Sequence, residues 1–139
     1  MNVLVDTSIW SLALRRKGDK LNPTERQLVR ELARLVDEGR ARITGLVRQE
    51  LLNGIQAPDQ FERLREALRS FPDEISTTED HEAAARGSNE CRSKGIAASV
   101  VDVLLCTMAL RRDWRFFTSD ADFANYRRTI PFRLHIVGR

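Results

Sequence analysis

Val3-Leu4-Val5-Asp6-Thr7-Ser8 is the stretch whose reading decides the fold. Three apolar residues in a row, without alternation, suit a strand covered on both faces, as in a parallel sheet. An aspartate directly behind such a strand stands where parallel α/β sheets bind ligands, beyond the carboxyl ends of their strands. Further strands are expected at Ala41 to Thr44, Glu74 to Ser76, Arg115 to Thr118 and Leu134 to Val137. Helices are expected between them. Asn22-Pro23-Thr24-Glu25 combines a capping Asn, Pro at the first helical position and Glu three residues after the cap. Leu28, Leu32, Leu35 and Val36 then form one stripe, and Gly39 is a natural stop. Leu46 to Gly54 reads as a helix, and Pro58 opens another whose Phe61, Leu64, Leu68 and Phe71 share a face. Thr78 is read as the cap of a small-residue helix through Ala83 and Cys91, ended by Gly95. Ser99 to Arg112 follows, with Val101, Leu104, Leu105 and Met108 on its buried side. Strands alternating with helices predict an α/β fold, a parallel sheet with helices on both faces.

The 139 residues suit one domain spanning the whole chain. No apolar run approaches the ~20 residues of a membrane span, and the N-terminus lacks the basic region and cleavage site of a signal peptide. Cys91 and Cys106 lack the spacing of a zinc site and read as reduced packing residues, which points to the cytoplasm. The net charge of +3 is too small to demand a polyanionic partner. Its clusters, Arg15-Arg16-Lys17, Arg111-Arg112 and Arg127-Arg128, fall near element ends, where guanidinium groups either reach phosphates or are simply solvated.

The acids are more informative. Asp6 and Asp120 each follow a strand, Glu50 lies in the first turns of a helix after the second strand, and Asp102 lies in the first turn of another helix. Each has an ordinary explanation. Asp6 and Asp120 can cap helices, Glu50 can be a solvated helix residue, and Ser99-Val100-Val101-Asp102 can be a capping box. Asp122 can be a first-turn acid favoured by the helix dipole. Four acids in one cleft, however, need a cation to offset their repulsion. Carboxylates without paired His or Cys favour a hard ion, Mg²⁺ or Mn²⁺, over zinc. Such an ion activates water and stabilises charge in displacement at phosphorus. No phosphate-binding GxxxxGK[ST] loop is present, and neither His81 nor His135 sits beside a nucleophile in a recognisable context. His135, between Leu134 and Ile136, reads as structural. A phospho-acceptor domain would pair two acids after the first strand and carry a Lys after the last, and a haloacid-dehalogenase phosphatase would place Asp where Ser8 stands.

Together Val5-Asp6-Thr7-Ser8, Glu50, Asp102 before Leu104-Leu105, and Phe117-Thr118-Ser119-Asp120-Ala121-Asp122-Phe123 resemble the PIN-domain ribonucleases, in particular the VapC-type toxins of toxin–antitoxin pairs. The resemblance runs from Asn2 to about Val137. It implies a Mg²⁺- or Mn²⁺-dependent endoribonuclease, neutralised by a cognate antitoxin protein and forming a homodimer. Asp6, Glu50, Asp102 and Asp120 become its acidic quartet. Asp6 and Asp102 would hold the ion directly, with Asp120 close by or through water, while Glu50 would orient the attacking water or complete the coordination. Thr7, Ser8 and Thr118 match supporting hydroxyl positions. Asp120 is taken as the fourth acid because it lies nearer the strand than Asp122, which is kept in reserve. Arg15, Arg16 and Arg48 are the first candidates for steering RNA, on chain position alone. The competing reading is a non-catalytic PIN-like module that docks RNA or protein, whose mark would be a missing acid.

Overall fold

In the computed structural model, residues 1–16 and 18–139 are described; Lys17, of the first basic cluster, lies outside them. Five parallel strands, β1 (Val3–Val5), β2 (Ala41–Thr44), β3 (Asp73–Glu74), β4 (Arg115–Phe117) and β5 (Arg133–Leu134), lie in the order β3-β2-β1-β4-β5. Seven helices connect them among the described residues: α1 (Thr7–Leu14), α2 (Pro23–Asp37), α3 (Gly45–Leu52), α4 (Pro58–Leu68), α5 (Thr78–Ser93), α6 (Val100–Arg111) and α7 (Asp122–Tyr126). The chain steps outward from β1 through β2 to β3, then crosses back to β4 on the other side of β1. Right-handed crossovers therefore put α1 to α4 on one face and α5 to α7 on the other. Packing agrees, with α1 against α2 and α3, and α5 against α6. The expected α/β architecture is the observed one.

Val3, Leu4 and Val5 have no exposed surface, as a strand covered on both faces requires. The helix signals act locally as read. Asn22 and Glu25 form a reciprocal capping box, and Gly39 (φ 69°) takes the left-handed conformation that closes α2, with Arg40 N–H bonded to the Leu35 carbonyl.

Several expectations are corrected. Thr77, not Thr78, caps α5, in a box with Asp80. The third strand is Asp73–Glu74 rather than Glu74 to Ser76, because its partner β2 ends at Thr44, where α3 begins at once. Beyond Glu74 nothing remains to pair with, and the Ser76 hydroxyl meets His81 Nε2 at 2.9 Å instead. The last strand is Arg133–Leu134, extended by His135 N–H to the Phe116 carbonyl, after which the chain turns towards α2. Helix α6 is buried all round from Val103 to Ala109, rather than on one side, because it lies between α5 and the sheet. Both cysteines are free and buried, and no described helix is long and apolar enough to cross a membrane.

Candidate functional site

The sheet reverses its direction of growth at β1 and β4, and in such sheets the ligand crevice lies beyond the carboxyl ends of these strands, where the two connections diverge. Asp6 and Thr118 stand on its two sides. Asp6 occupies the N-cap position of α1, yet among the described residues its side chain makes no capping bond. Its carboxylate is nearly buried, 7% exposed, and Oδ2 accepts hydrogen bonds from Ser8 Oγ at 2.9 Å and Thr118 Oγ1 at 2.8 Å. Each hydroxyl has one hydrogen, and each gives it to Asp6. The 3.3 Å approach of Ser8 Oγ to Thr118 Oγ1 is thus a contact between two acceptors. Ser8 Oγ in turn accepts from Ser119 N–H at 3.0 Å, and Thr118 Oγ1 from Asp120 N–H at 3.0 Å. Asp6 is held by Ser8 of its own helix and by Thr118 across the crevice rather than capping α1.

The other acids come from separate elements. Thr44 caps α3 through Val47 N–H, so α3 starts directly at the end of β2 and carries Glu50 in its second turn. Thr7 Oγ1 donates to Glu50 Oε1 at 3.0 Å, which ties α1 to α3 at this edge. Ser99 caps α6 by accepting from Asp102 N–H at 3.0 Å. The reciprocal half of the capping box is missing among the described bonds; Asp102 Oδ2 instead accepts from Tyr126 Oη at 3.3 Å. Asp120 is exposed, and its Oδ1 accepts from Asp122 N–H at 2.9 Å, at the start of α7.

Charge links the acids. The Glu50 carboxyl titrates above its ordinary value, first because protein walls off solvent and then because Asp6 and Asp102 are negative, although Thr7 opposes this. The Asp102 carboxyl is also raised, chiefly by burial, with the charges of Asp6 and Asp120 adding to it and the hydroxyls of Ser99 and Tyr126 working against it. Glu50 and Asp102 thus both feel Asp6, and Asp102 also feels Asp120. Asp122 is exposed; the Tyr126 phenol is raised chiefly by burial and by Asp102, with the charges of both Asp122 and Asp120 adding to it. The side chains are drawn near but not closed into a ligand set: among the described residues, no three His, Cys, Asp or Glu side chains stand arranged to hold an ion. Each carboxylate is held back by its own donor, as mutually repelling charges favour. The oxygen-only donor set suits a hard divalent ion.

The three arginines named from chain position have intramolecular settings of their own. The Arg48 guanidinium is occupied by Asp73 at 2.8 Å and by the carbonyls of Leu68 and Phe71, so it braces the α4–β3 connection. Arg16 pairs with Glu25 at 3.0 Å. Arg15 closes the far end of α1, about 13 Å along the helix from Asp6 at the usual rise per residue. The sequence reading also passed over Tyr126. Its only signal was its place three residues after Phe123, on the buried side of a short helix; it is 3% exposed.

Comparison with known proteins bears on the fold and the family. The chain has the fold of FitAcB from Neisseria gonorrhoeae, at 16% identity and a TM-score of 0.73 over 96% of each chain. It is also similar to VapBC2 from Rickettsia felis bound to a promoter DNA fragment, at 16% identity and a TM-score of 0.76 over 97% of this chain and 98% of that one. A toxin–antitoxin complex from Klebsiella pneumoniae is similar at 19% identity and a TM-score of 0.66, over 88% of this chain and 91% of that one. At such identities the likeness is one of fold. No curated protein matches the chain. The PIN domain family model matches residues 3–129, which include all four acids and the hydroxyls that hold them: the chain belongs to the PIN domain family.

Proposed function

We propose that this chain is a single-domain, Mg²⁺- or Mn²⁺-dependent endoribonuclease, the toxin of a toxin–antitoxin pair. The observation that carries the reading is the Asp6 carboxylate, withheld from helix capping and fixed by Ser8 beside it and Thr118 across the crevice, with its charge felt by Glu50 and Asp102 and that of Asp120 felt by Asp102. Asp6, Asp102 and Asp120 would hold the ion. When bound, it would lower the pKa of the attacking water and offset charge developing at phosphorus. Glu50, raised in pKa and held at Oε1 by Thr7, is suited to take the water's proton at Oε2. The hydroxyls of Ser8 and Thr118 fix Asp6 so that little motion is needed on binding. The toxin assignment rests on PIN membership together with fold likeness to toxin–antitoxin complexes. It includes a protein antitoxin as partner, a homodimer as assembled form and the cytoplasm as location. Exposed apolar side chains at Val100 and Leu46 are available for such protein contacts.

The direct test is cleavage of a labelled single-stranded RNA by the purified chain. Cutting is expected with millimolar Mg²⁺ or Mn²⁺ and none in excess chelator, with Asp120→Asn inactive and Asp122→Asn retaining activity. Tight RNA binding without metal-dependent cutting would instead identify a non-catalytic module. If Asp122→Asn is inactive and Asp120→Asn is not, the fourth acid is Asp122.

Repulsion among the acids predicts a second result. Asp102→Asn keeps shape and an acceptor for Tyr126 but removes a charge, so the variant should melt higher than wild type in chelator. The gain is on the order of 1 kcal/mol, reduced by solvent because the site is only half-buried. Mn²⁺ should then raise the melting temperature of wild type and leave the variant nearly unmoved. A destabilised variant, with no metal response in wild type, would show Asp102 to be a helix-start residue only.

A further inference from the structure

We propose that the cleft between the α5–α6 turn and α7 is a base-binding subsite, receiving a nucleotide that flanks the cut phosphodiester of single-stranded RNA. This rests on the nuclease reading above and goes beyond it by locating where sequence would be read. The cleft has a volume of about 370 Å³, within the size range of small-ligand sites. Gly95, Ile96 and Ala97 line one side; Asp122, Asn125, Tyr126 and Arg128 line the other. The Tyr126 hydroxyl donates to Asp102 Oδ2 at 3.3 Å, so one aromatic ring separates this cleft from the acids. A base seated here would have its phosphate beside them.

The lining suits a ring with apolar faces and a polar edge. Ile96 and Ala97 offer apolar contact. The turn is held open by Gly95 at φ 71°, with Ile96 N–H bonded back to the Cys91 carbonyl. Asn125 is exposed and presents both a donor and an acceptor, the pair needed to read a base edge. Asp122 adds acceptors only, which favours a base with an exocyclic amino group over uracil. Arg128 is exposed and makes no ion pair among the described residues. Arg16 and Arg48 are committed to Glu25 and Asp73. A strand approaching four acids is repelled, and a cation on one flank both offsets this and sets the strand's path.

Two readouts test the proposal in the full chain: sequencing of the ends produced from a randomised single-stranded RNA pool in Mn²⁺, and anisotropy of a fluorescein-labelled RNA octamer in chelator across a salt series. Wild type should disfavour uridine at one flanking position. Asn125→Ala should reduce that preference by about fivefold or more while leaving other positions unchanged. Arg128→Ala should weaken octamer binding at all sequences and lower the salt slope by about one. Both residues are exposed, so both variants should melt as wild type does. Loss of preference in Asn125→Ala, with or without the Arg128 effect, supports the subsite. A wild type without preference, a preference for uridine, or an Asn125→Ala variant that cuts like wild type overturns it, whatever Arg128→Ala does. In each of those cases wild-type cleavage stands and only the subsite falls. A wild type that neither binds nor cuts RNA removes both readings.

Discussion

Asp6→Asn protein is expected to melt within a few degrees of wild type and to cut single-stranded RNA at least ~10³-fold more slowly. The two halves of this result have separate causes. Asparagine retains an oxygen that can accept from both Ser8 and Thr118, so the crevice keeps its hydrogen bonds. Helix α1 loses no cap, because the Asp6 side chain makes none among the described residues. The loss falls on charge. Of the four acids Asp6 is the one whose position is most fully determined, by donors from both sides of the crevice. Its charge is also the one felt by both Glu50 and Asp102. Removing it would cost the ion a principal ligand and lower the proton affinity of Glu50. Initial rates at saturating Mn²⁺, beside thermal melts of both proteins, check this. Activity within tenfold of wild type would remove Asp6 from the reaction, and a collapse in melting temperature would return it to a structural role.

Much of the candidate site is legible in the sequence because its residues obey local rules. Val3 to Val5 reads as a doubly covered strand in isolation, and the residue behind such a strand faces the ligand edge whatever its partners do. Ser99 and Asn22 are caps that depend only on the residues three positions on. The errors come where a residue's surroundings arrive from elsewhere in the chain. The brace that Arg48 makes is not legible from its neighbours, because its partners lie 20 to 25 residues ahead, at Leu68, Phe71 and Asp73. The two edge strands were misplaced because an edge strand is paired on one side only, so its ends are set by where its neighbour stops. Tyr126 carries no such signal, because its hydroxyl acts on Asp102, 24 residues earlier in the first turn of α6, and no periodicity marks that bond. Local codes position the acids; the arginines and the second layer follow from topology.

The largest stability loss is expected far from the acids, at Glu31→Ala. Glu31 lies on α2, is 4% exposed, and takes a bidentate pair of hydrogen bonds from Arg34 at 2.7 and 2.8 Å. Its Oε2 also meets His135 Nε2 at 2.5 Å and accepts from Gly138 N–H at 3.1 Å. A carboxylate can only accept, so Nε2 carries the proton, and His135 Nδ1 is left buried without a partner among the described residues. The imidazole is therefore neutral. Burial lowers its pKa, and Glu31 opposes this without reversing it. The Glu31 carboxyl is lowered from 4.5 to about 2, mainly by Arg34 against the penalty of burial, with His135 and Gly138 adding to the fall. The same latch steadies the site from behind, since His135 N–H bonds the Phe116 carbonyl of β4, the strand that delivers Thr118 and Asp120. Both shifts act in one direction. Below pH ~6.5 the unfolded chain takes up a proton at His135 that the folded chain refuses, and below ~4.5 it does so at Glu31. Wild type should thus lose stability as pH falls, most steeply between about pH 4.5 and 2. Glu31→Ala removes the shared acceptor, strands the buried His135 Nε2–H and frees the Arg34 and Gly138 donors to solvent, at a cost on the order of 3 kcal/mol at pH 7. That gap should narrow steadily as pH drops from 4.5 towards 2, because wild type is losing the same contribution. Urea unfolding of both proteins at pH 7, 4.5 and 3 measures it, and a gap that is small at pH 7, or constant across the series, would show that the latch is not what holds β5 to α2.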